Sequence, residues 1–216
     1  MSHLQKIGGI AALSEAVIYV SAFVFFGVYW DFPVDADSIR KLAFLSENQT
    51  IFSVVNLVMY VLFGILLAVL VLAVHERLKI SAPNLSKVAS IYGVIWVGLV
   101  IASGMISNIG LAAALELSTT NSEQAILVWS IISTIVEGIG GGNEVVGGLW
   151  VLLLSIAAYR CNEFSKAFNC LGFFVGVVGI LTIYPAEVLT AIFGITQIVW
   201  FAWLGVAMLF GSKPNK

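Results

Sequence analysis

The chain has few charged residues. Only 10% of its 216 residues are Asp, Glu, Lys or Arg, whereas 60% are hydrophobic and the mean hydropathy is +1.04. Soluble domains carry about 25% charged residues, so this composition cannot form a water-exposed surface. The net charge of −2 and the lack of a basic stripe give no support for nucleic-acid binding.

Histidine and cysteine are also scarce. His3 and His75 lie at or beyond the ends of apolar runs, which argues against paired haem ligation inside a bundle. No cluster has zinc-site spacing, and no catalytic-serine, metalloprotease or phosphate-loop motif occurs. Cys161 and Cys170 flank a connection predicted to be cytoplasmic, where thiols stay reduced. We therefore expect no cofactor and no metal site, and an intramembrane enzyme is the weakest functional hypothesis.

Long apolar runs are what the sequence does contain, and they predict an all-α, polytopic membrane helical bundle. Five runs are easily delimited: 7–30, 51–75, 88–117, 167–184 and 187–211. A sixth, 123–160, would be about 57 Å long as one helix, against a hydrocarbon core of about 30 Å. It forms either two spans that turn at its glycines, or one span with an extension.

The distribution of lysine and arginine favours one span. With six spans, eight of the ten basic residues lie on the cytoplasmic side with both termini, and only Arg40 and Lys41 lie outside. With seven spans, only four basic residues lie inside, against the positive-inside rule. The sequence thus predicts one domain, residues 1–216, with six transmembrane helices, cytoplasmic termini and an overlong outer hairpin of helices three and four. Residues 123–139 then form a helix extension, an interfacial segment or a re-entrant segment, or the helix breaks at GIGGGN.

Polar residues in the sixth run fall on one helix face that includes Glu137 and Glu144. A carboxylate in hydrocarbon costs about 2.5–3.5 kcal/mol even on permissive scales, so such an acid should face the bundle interior or water. Lysine and arginine are absent from the interior of every apolar run, so these acids must be protonated, hydrogen-bonded to neutral groups or in contact with water, and a retinal Schiff base is excluded. We predict a ligand-binding pocket in the outer half of the bundle, formed by Glu144, Asn143, Asn56, Asn108 and Gln197, with Glu137 near the outer interface.

Alternative interpretations of the same residues remain open. The small residues on this face are also typical of a packing seam, and Glu137 of a solvated interfacial acid. Glu15 lies about two turns into the first span from its cytoplasmic end, so we expect it not to share a site with Glu144. Trp200 and Trp203 are expected in belt or packing roles.

Four segments of the C-terminal half carry a family resemblance: GGGNEVVGGLWVLLL, YRCNEFSKAFN, LGFFVGVVGILT and FGITQIVWFAWLG. They resemble a bacterial family of small six-span membrane proteins that is classed only as a domain of unknown function. The resemblance implies six spans and a bacterial inner (cytoplasmic) membrane, and it implies no mechanism.

Two functional hypotheses follow. The first is a membrane protein that binds a small molecule, lipid or ion in the pocket around Glu144, as a transporter or sensor. The second is a structural subunit that forms a homo-oligomer or docks a partner through the outer hairpin. In both, the lipid bilayer is the surrounding partner.

Overall fold

The computed structural model describes residues 2–141 and 144–211, and every regular element in this part of the chain is helical. The α-helices are α1 (His3–Val24), α2 (Ser38–Glu47), α3 (Gln49–Asn56), α4 (Phe63–Leu78), α5 (Pro83–Ser118), α6 (Ser122–Val136), α7 (Val145–Arg160), α8 (Lys166–Leu181) and α9 (Glu187–Phe210). Three π-helical segments adjoin them: Phe25–Tyr29 after α1, Leu57–Leu62 between α3 and α4, and Glu137–Gly141 after α6. The predicted all-α class is confirmed.

Five helical stretches are long and apolar enough to cross a membrane: His3–Tyr29, Gln49–Leu78, Pro83–Ser118, Ser122–Arg160 and Glu187–Phe210. The helix Lys166–Leu181 is equally apolar but shorter. Their lengths and composition indicate a membrane protein.

Six helices form a closed ring in chain order. α1 packs on α4, α4 on α5, α5 on α7, α7 on α8, and α8 on α9, which returns to α1. Gly8 of α1 lies against Met208 of α9, so the beginning and the end of the ring lie together. We call this end, with connections 79–82 and 161–165, the terminal end. The opposite end, with connections 30–48, 119–121 and 182–186, is the hairpin end.

Aromatic side chains fill the centre of the ring. Trp96 is fully buried and stacks on Phe201 with ring centroids 6.4 Å apart, and Trp150 meets Trp200 edge to face at 5.5 Å. Trp200, expected in a belt or packing role, is therefore a core residue, whereas Trp203 is partly exposed.

The long helix α5 runs antiparallel to both α6 and α7. In antiparallel helices, the residue numbers of contacting residues have a nearly constant sum. The contacts of α5 with α6 and α7 follow this rule: Gly110–Ile132, Ser103–Val136, Trp96–Glu144 and Gly93–Trp150. The chain therefore keeps its direction across the break between α6 and α7. That break contains Gly140, whose φ of +140° is a backbone conformation that favours glycine.

Beyond the ring, α6 and the outer part of α5 form a hairpin with its own apolar cluster. Its buried members are Leu45, Phe52 and Leu111, and Trp30 and Trp129 pack against them. α2 covers this hairpin through the same cluster. At the terminal end, a buried ion pair between Arg77 and Glu163, with nitrogen and oxygen 2.6 Å apart, ties α4 to the α7–α8 connection.

Close packing of α7 on α8 predicts a sharp sensitivity at Gly148. A Cβ atom there would lie 2.7–2.8 Å from backbone atoms of Gly176, Gly179 and Ile180, which cannot move independently. We expect Gly148→Ala to lower the free energy of unfolding by about 1–3 kcal/mol, the usual cost of overpacking. Denaturant or thermal unfolding in detergent measures this.

The matched control is Gly98→Ala, because no atom lies within 4 Å of the added Cβ. Its stability should equal or slightly exceed that of the parent protein. Equal losses in the two variants would contradict the packing described for Gly148.

Candidate functional site

Glu144 lies immediately before α7, in the interior of the ring, with 9% of its surface exposed. Its backbone N–H donates to the Thr182 hydroxyl oxygen at 2.9 Å, and its carbonyl accepts the first helical hydrogen bond of α7 from Gly148 at 2.7 Å. The residue is therefore fixed on both sides: α8 holds its amide, and α7 begins from its carbonyl.

Two neutral side chains hold the Glu144 carboxylate. The indole Nε1–H of Trp96 on α5 donates to Oε2 at 3.0 Å. The Tyr19 hydroxyl on α1 also interacts with this carboxylate. The Trp96 ring lies directly against Gly147, where a Cβ would come within 2.7 Å of it. Because Gly147 has no side chain, the indole of Trp96 can reach the start of α7.

A cavity of about 300 Å³ borders this carboxylate. Among the described residues that line it, Glu144 carries the only charge, and most of the others are aromatic or aliphatic. The aromatic members are Tyr19, Phe23, Phe26, Tyr60 and Phe63. An apolar cavity with one fixed polar group is the usual form of a small-molecule site.

The first two π-helical segments and the kink at Gly140 in the third segment contribute to this cavity. Phe26 comes from the first, Met59 and Tyr60 from the second, and Gly140 from the third. π-Helical turns are rare and are frequent at functional sites, because the wider turn interrupts regular helix packing. Their meeting from three separate helices marks this region as the part of the ring with the least regular backbone.

A second, larger cavity of about 650 Å³ lies nearer the hairpin end. It is bounded by the third π-helical segment and by the α8–α9 connection, and Glu137 and Glu187 line it. Phe23 and Thr190 line both cavities, so the two adjoin. We refer to the first as the inner cavity and to the second as the vestibule.

Asn56 and Asn108, predicted to lie with Glu144, belong to a separate cluster. Asn56 donates to the Ser107 hydroxyl at 2.9 Å and to the Asn108 side-chain oxygen at 3.1 Å, and Asn108 donates to the Ser53 carbonyl at 3.2 Å. Ser107 and the Glu144 partner Trp96 are about 16 Å apart along α5, at 1.5 Å per residue. This part of the predicted pocket is wrong, because these amides satisfy one another at a helix-packing contact.

The other predicted residues are placed as follows. Glu137 is exposed and lines the vestibule rather than the inner cavity. Gln197 does not line either cavity, is fully buried, and neither of its amide atoms has a hydrogen-bond partner among the described residues. Asn143 lies outside the described residues.

Gln197 nevertheless lies beside the site. It is on the same face of α9 as Gly194 and Phe201, one turn from each. A Cβ on Gly194 would be 4.0 Å from the Tyr19 ring, and the Phe201 and Tyr19 centroids are 6.1 Å apart. Tyr19 therefore lies opposite the stretch of α9 that carries Gln197.

Glu15 was expected to be separate from Glu144, and the structure corrects this. Glu15 is fully buried, and neither carboxylate oxygen has a hydrogen-bond partner among the described residues. Tyr19, one turn further along α1, interacts electrostatically with both acids. The position of each acid along its own apolar run could not reveal that the two acids lie near each other. Glu144 precedes α7 deep within the ring, and not near the end of the ring as expected.

Sequence reasoning missed Trp96 as a site residue and did not connect Tyr19 with Glu144. Both lie in apolar runs, where an aromatic residue is usually a packing residue. The available signal was the four-residue spacing of Glu15 and Tyr19, which places them on one helix face.

Comparison with protein-family models, with curated proteins and with solved structures finds no match for this chain. The resemblance to a bacterial six-span family stays a prediction. Within the described residues, no group of three or more His, Cys, Asp or Glu side chains could hold a metal ion.

The positive φ at Gly140 predicts that the start of α7 depends on this glycine. We expect Gly140→Ala to lower the free energy of unfolding by about 1–3 kcal/mol, because a side chain strains this backbone conformation. The strain should also move Glu144 away from Trp96. Unfolding curves and tryptophan fluorescence measure the two effects.

Gly138→Ala is the control, since a Cβ there has no atom within 4 Å and Gly138 is not among the positive-φ residues. It should match the parent protein in both measurements. If Gly140→Ala also matches the parent, the break between α6 and α7 does not depend on the Gly140 conformation.

Proposed function

We propose that the protein is a six-span protein of the bacterial inner membrane that binds a small molecule in the inner cavity, as a transporter or sensor. In this proposal both termini are cytoplasmic, and the vestibule opens to the outer side. The observation that carries it is the Glu144 carboxylate, held by Trp96 and Tyr19 at the wall of an aromatic cavity.

The proposed topology rests on the order of the helices in the ring and on the distribution of lysine and arginine residues. α8 is apolar and takes its place in the ring, so it counts as the sixth span despite its 16 residues. Six antiparallel neighbours put both termini at one end, and most lysine and arginine residues lie at that end. The positive-inside rule then makes the terminal end cytoplasmic.

Two arguments support the binding role: the free-energy cost of burying the Glu144 carboxylate, and the position of Glu144 beside a cavity. Burying a carboxylate inside a membrane protein is expensive, and such residues normally mark a ligand or ion pathway. Glu144 borders a cavity, and that cavity adjoins a vestibule at the hairpin end, which supports a ligand route from that end to the acid.

A scaffold role is the second candidate, and one observation favours it. Leu127, Ile131 and Ile135 recur every four residues on α6 and are each about half exposed. This apolar stripe lies on the face of α6 that is directed away from the cluster shared with α2 and α5. In that case the size of the assembly in detergent, and not ligand binding, should respond to changes in this stripe.

Cysteine labelling tests the topology. In a protein whose native cysteines Cys161 and Cys170 are replaced by serine, Thr120→Cys should react with a membrane-impermeant maleimide on intact cells. Ile80→Cys should react only after the inner membrane is opened, because it lies in the connection at the terminal end. Both positions are exposed. Labelling of both in intact cells would overturn the six-span arrangement.

Water access to the inner cavity tests the binding role. In the same cysteine-free background, Ala22→Cys lines the cavity, whereas Val20→Cys lies on the outer surface of the same helix with 47% exposure. Impermeant methanethiosulfonate reagents, one cationic and one anionic, should between them modify Ala22→Cys. Neither should modify Val20→Cys, because lipid covers that face.

Mass spectrometry of the labelled protein gives the reaction rates. An Ala22→Cys variant as unreactive as Val20→Cys would show that no aqueous route reaches the cavity. The proposed binding function would then fail, and the scaffold role would be favoured.

A further inference from the structure

We propose that the inner cavity binds an organic cation, whose ammonium group pairs with Glu144 and whose apolar body packs on the aromatic walls. This inference rests on the proposed binding function and adds the chemical class of the ligand. Two independent features of the described residues support it: the sign of the charged side chains along the cavities, and the aromatic lining.

Every charged side chain that lines the two cavities in the described residues is acidic. Glu137 and Glu187 line the vestibule, and Glu144 lines the inner cavity. An anion on this route would meet repulsion at each step, whereas a cation is attracted at each step. Charges of one sign along a cleft with low-dielectric walls concentrate ligands of the opposite sign.

The aromatic lining favours a cation over a neutral ligand of the same shape. Five aromatic rings border the inner cavity, and ring faces attract a positive charge by about 0.5–2 kcal/mol per well-placed contact. The Glu144 carboxylate accepts from the neutral indole of Trp96, and no lysine or arginine is among the described residues that line the cavity. An ammonium group in the cavity would supply a cationic partner.

Glu15 is a second buried acid on the helix that carries Tyr19. It is fully buried, its two oxygens lack hydrogen-bond partners among the described residues, and Tyr19 interacts with it and with Glu144. The Tyr19 hydroxyl thus separates an acid that lines the cavity from one that does not. Glu15 does not line the cavity, so Glu144 alone would pair directly with the cation.

An organic cation fits better than an inorganic one. Inorganic cations such as Ca²⁺ and Mg²⁺ require about six or more oxygen ligands, while most of the lining here is hydrocarbon. The described residues also contain no cluster of metal-ligating side chains. A volume of about 300 Å³ lies at the small end of the usual range of ligand pockets, which suits a compact amine.

The test uses two compounds of the same shape and different charge. Benzyltrimethylammonium carries a quaternary nitrogen, and neopentylbenzene has carbon in its place and no charge. Each is added to Ala22→Cys in lipid nanodiscs, and the rate of cavity modification by a small neutral methanethiosulfonate is measured. Empty nanodiscs correct for partition into lipid.

We expect benzyltrimethylammonium to slow the modification of Ala22→Cys at least fivefold at saturation, and neopentylbenzene to have no such effect at equal free concentration. The cationic methanethiosulfonate should also react about tenfold faster than the anionic one, after each rate is divided by its rate with free 2-mercaptoethanol. Glu144→Gln should raise the half-protecting concentration about tenfold or more, equivalent to about 1.4 kcal/mol. Glu116→Gln, which removes an exposed acid on α5 away from the cavities, should leave it unchanged.

The outcomes separate the two proposals. Equal protection by both compounds would overturn the cation class and leave the binding function standing. Modification of Ala22→Cys with protection by neither compound, and with no preference for the cationic reagent, would also overturn the cation class. An unreactive Ala22→Cys would remove the binding function and the cation class together. The comparison of the two compounds is made in one protein, so it stands even if Glu144→Gln fails to fold.

Discussion

The position of the start of α7 in the ring depends on the hydrogen bond that Trp96 donates to Glu144. This contact fixes where α7 begins relative to α5, and the Thr182 hydroxyl fixes the same point relative to α8. A carboxylate at this depth would be costly if it had no donors, because hydrocarbon offers none. The indole and phenol groups that reach it come from α5 and α1, on two different sides of the ring. The acid thereby links non-adjacent helices at one point, and the cavity lies beside that point.

The same break explains why there is a cavity. α6 continues along α5 and packs on α2 beyond the ring, and α7 joins the ring only from Val145. α8 has only 16 residues, and at the terminal end Arg77 and Glu163 tie α4 to the α7–α8 connection. The space left between α1, the second π-helical segment and α9 is the inner cavity. Residues of the first two π-helical segments and of the kink at Gly140 line this space. The hairpin of α5 and α6 and the inner cavity thus both adjoin the break that contains Gly140.

The class of the protein could be predicted from the sequence, because composition and the length of apolar runs are local properties. Glu144 could also be singled out, since the cost of a carboxylate in an apolar run does not depend on the neighbours. The rest of the site could not. Whether Asn56 or Glu15 lies near Glu144 depends on where the helix breaks and on how each helix tilts around the ring, which are non-local. Counting residues from a predicted membrane surface put Asn56 level with Glu144 and Glu15 on the opposite side. The structure reverses both placements, through contacts of Tyr19 and Trp96 that look like ordinary core residues in the sequence.

A role in packing alone does not account for the chemistry of the two buried acids. An indole N–H and a tyrosine hydroxyl could be satisfied by the amide oxygen of a glutamine, without the cost of placing an ionisable group inside the bundle. Glu15 does not even gain such contacts, since its oxygens have no hydrogen-bond partner among the described residues. Polar groups that are buried without a partner in a folded protein call for water, an ion or a ligand that is bound in the functional state. The inner cavity adjoins Glu144, so a positively charged ligand there would give this acid a partner of opposite charge, which the described residues that line the cavity do not supply.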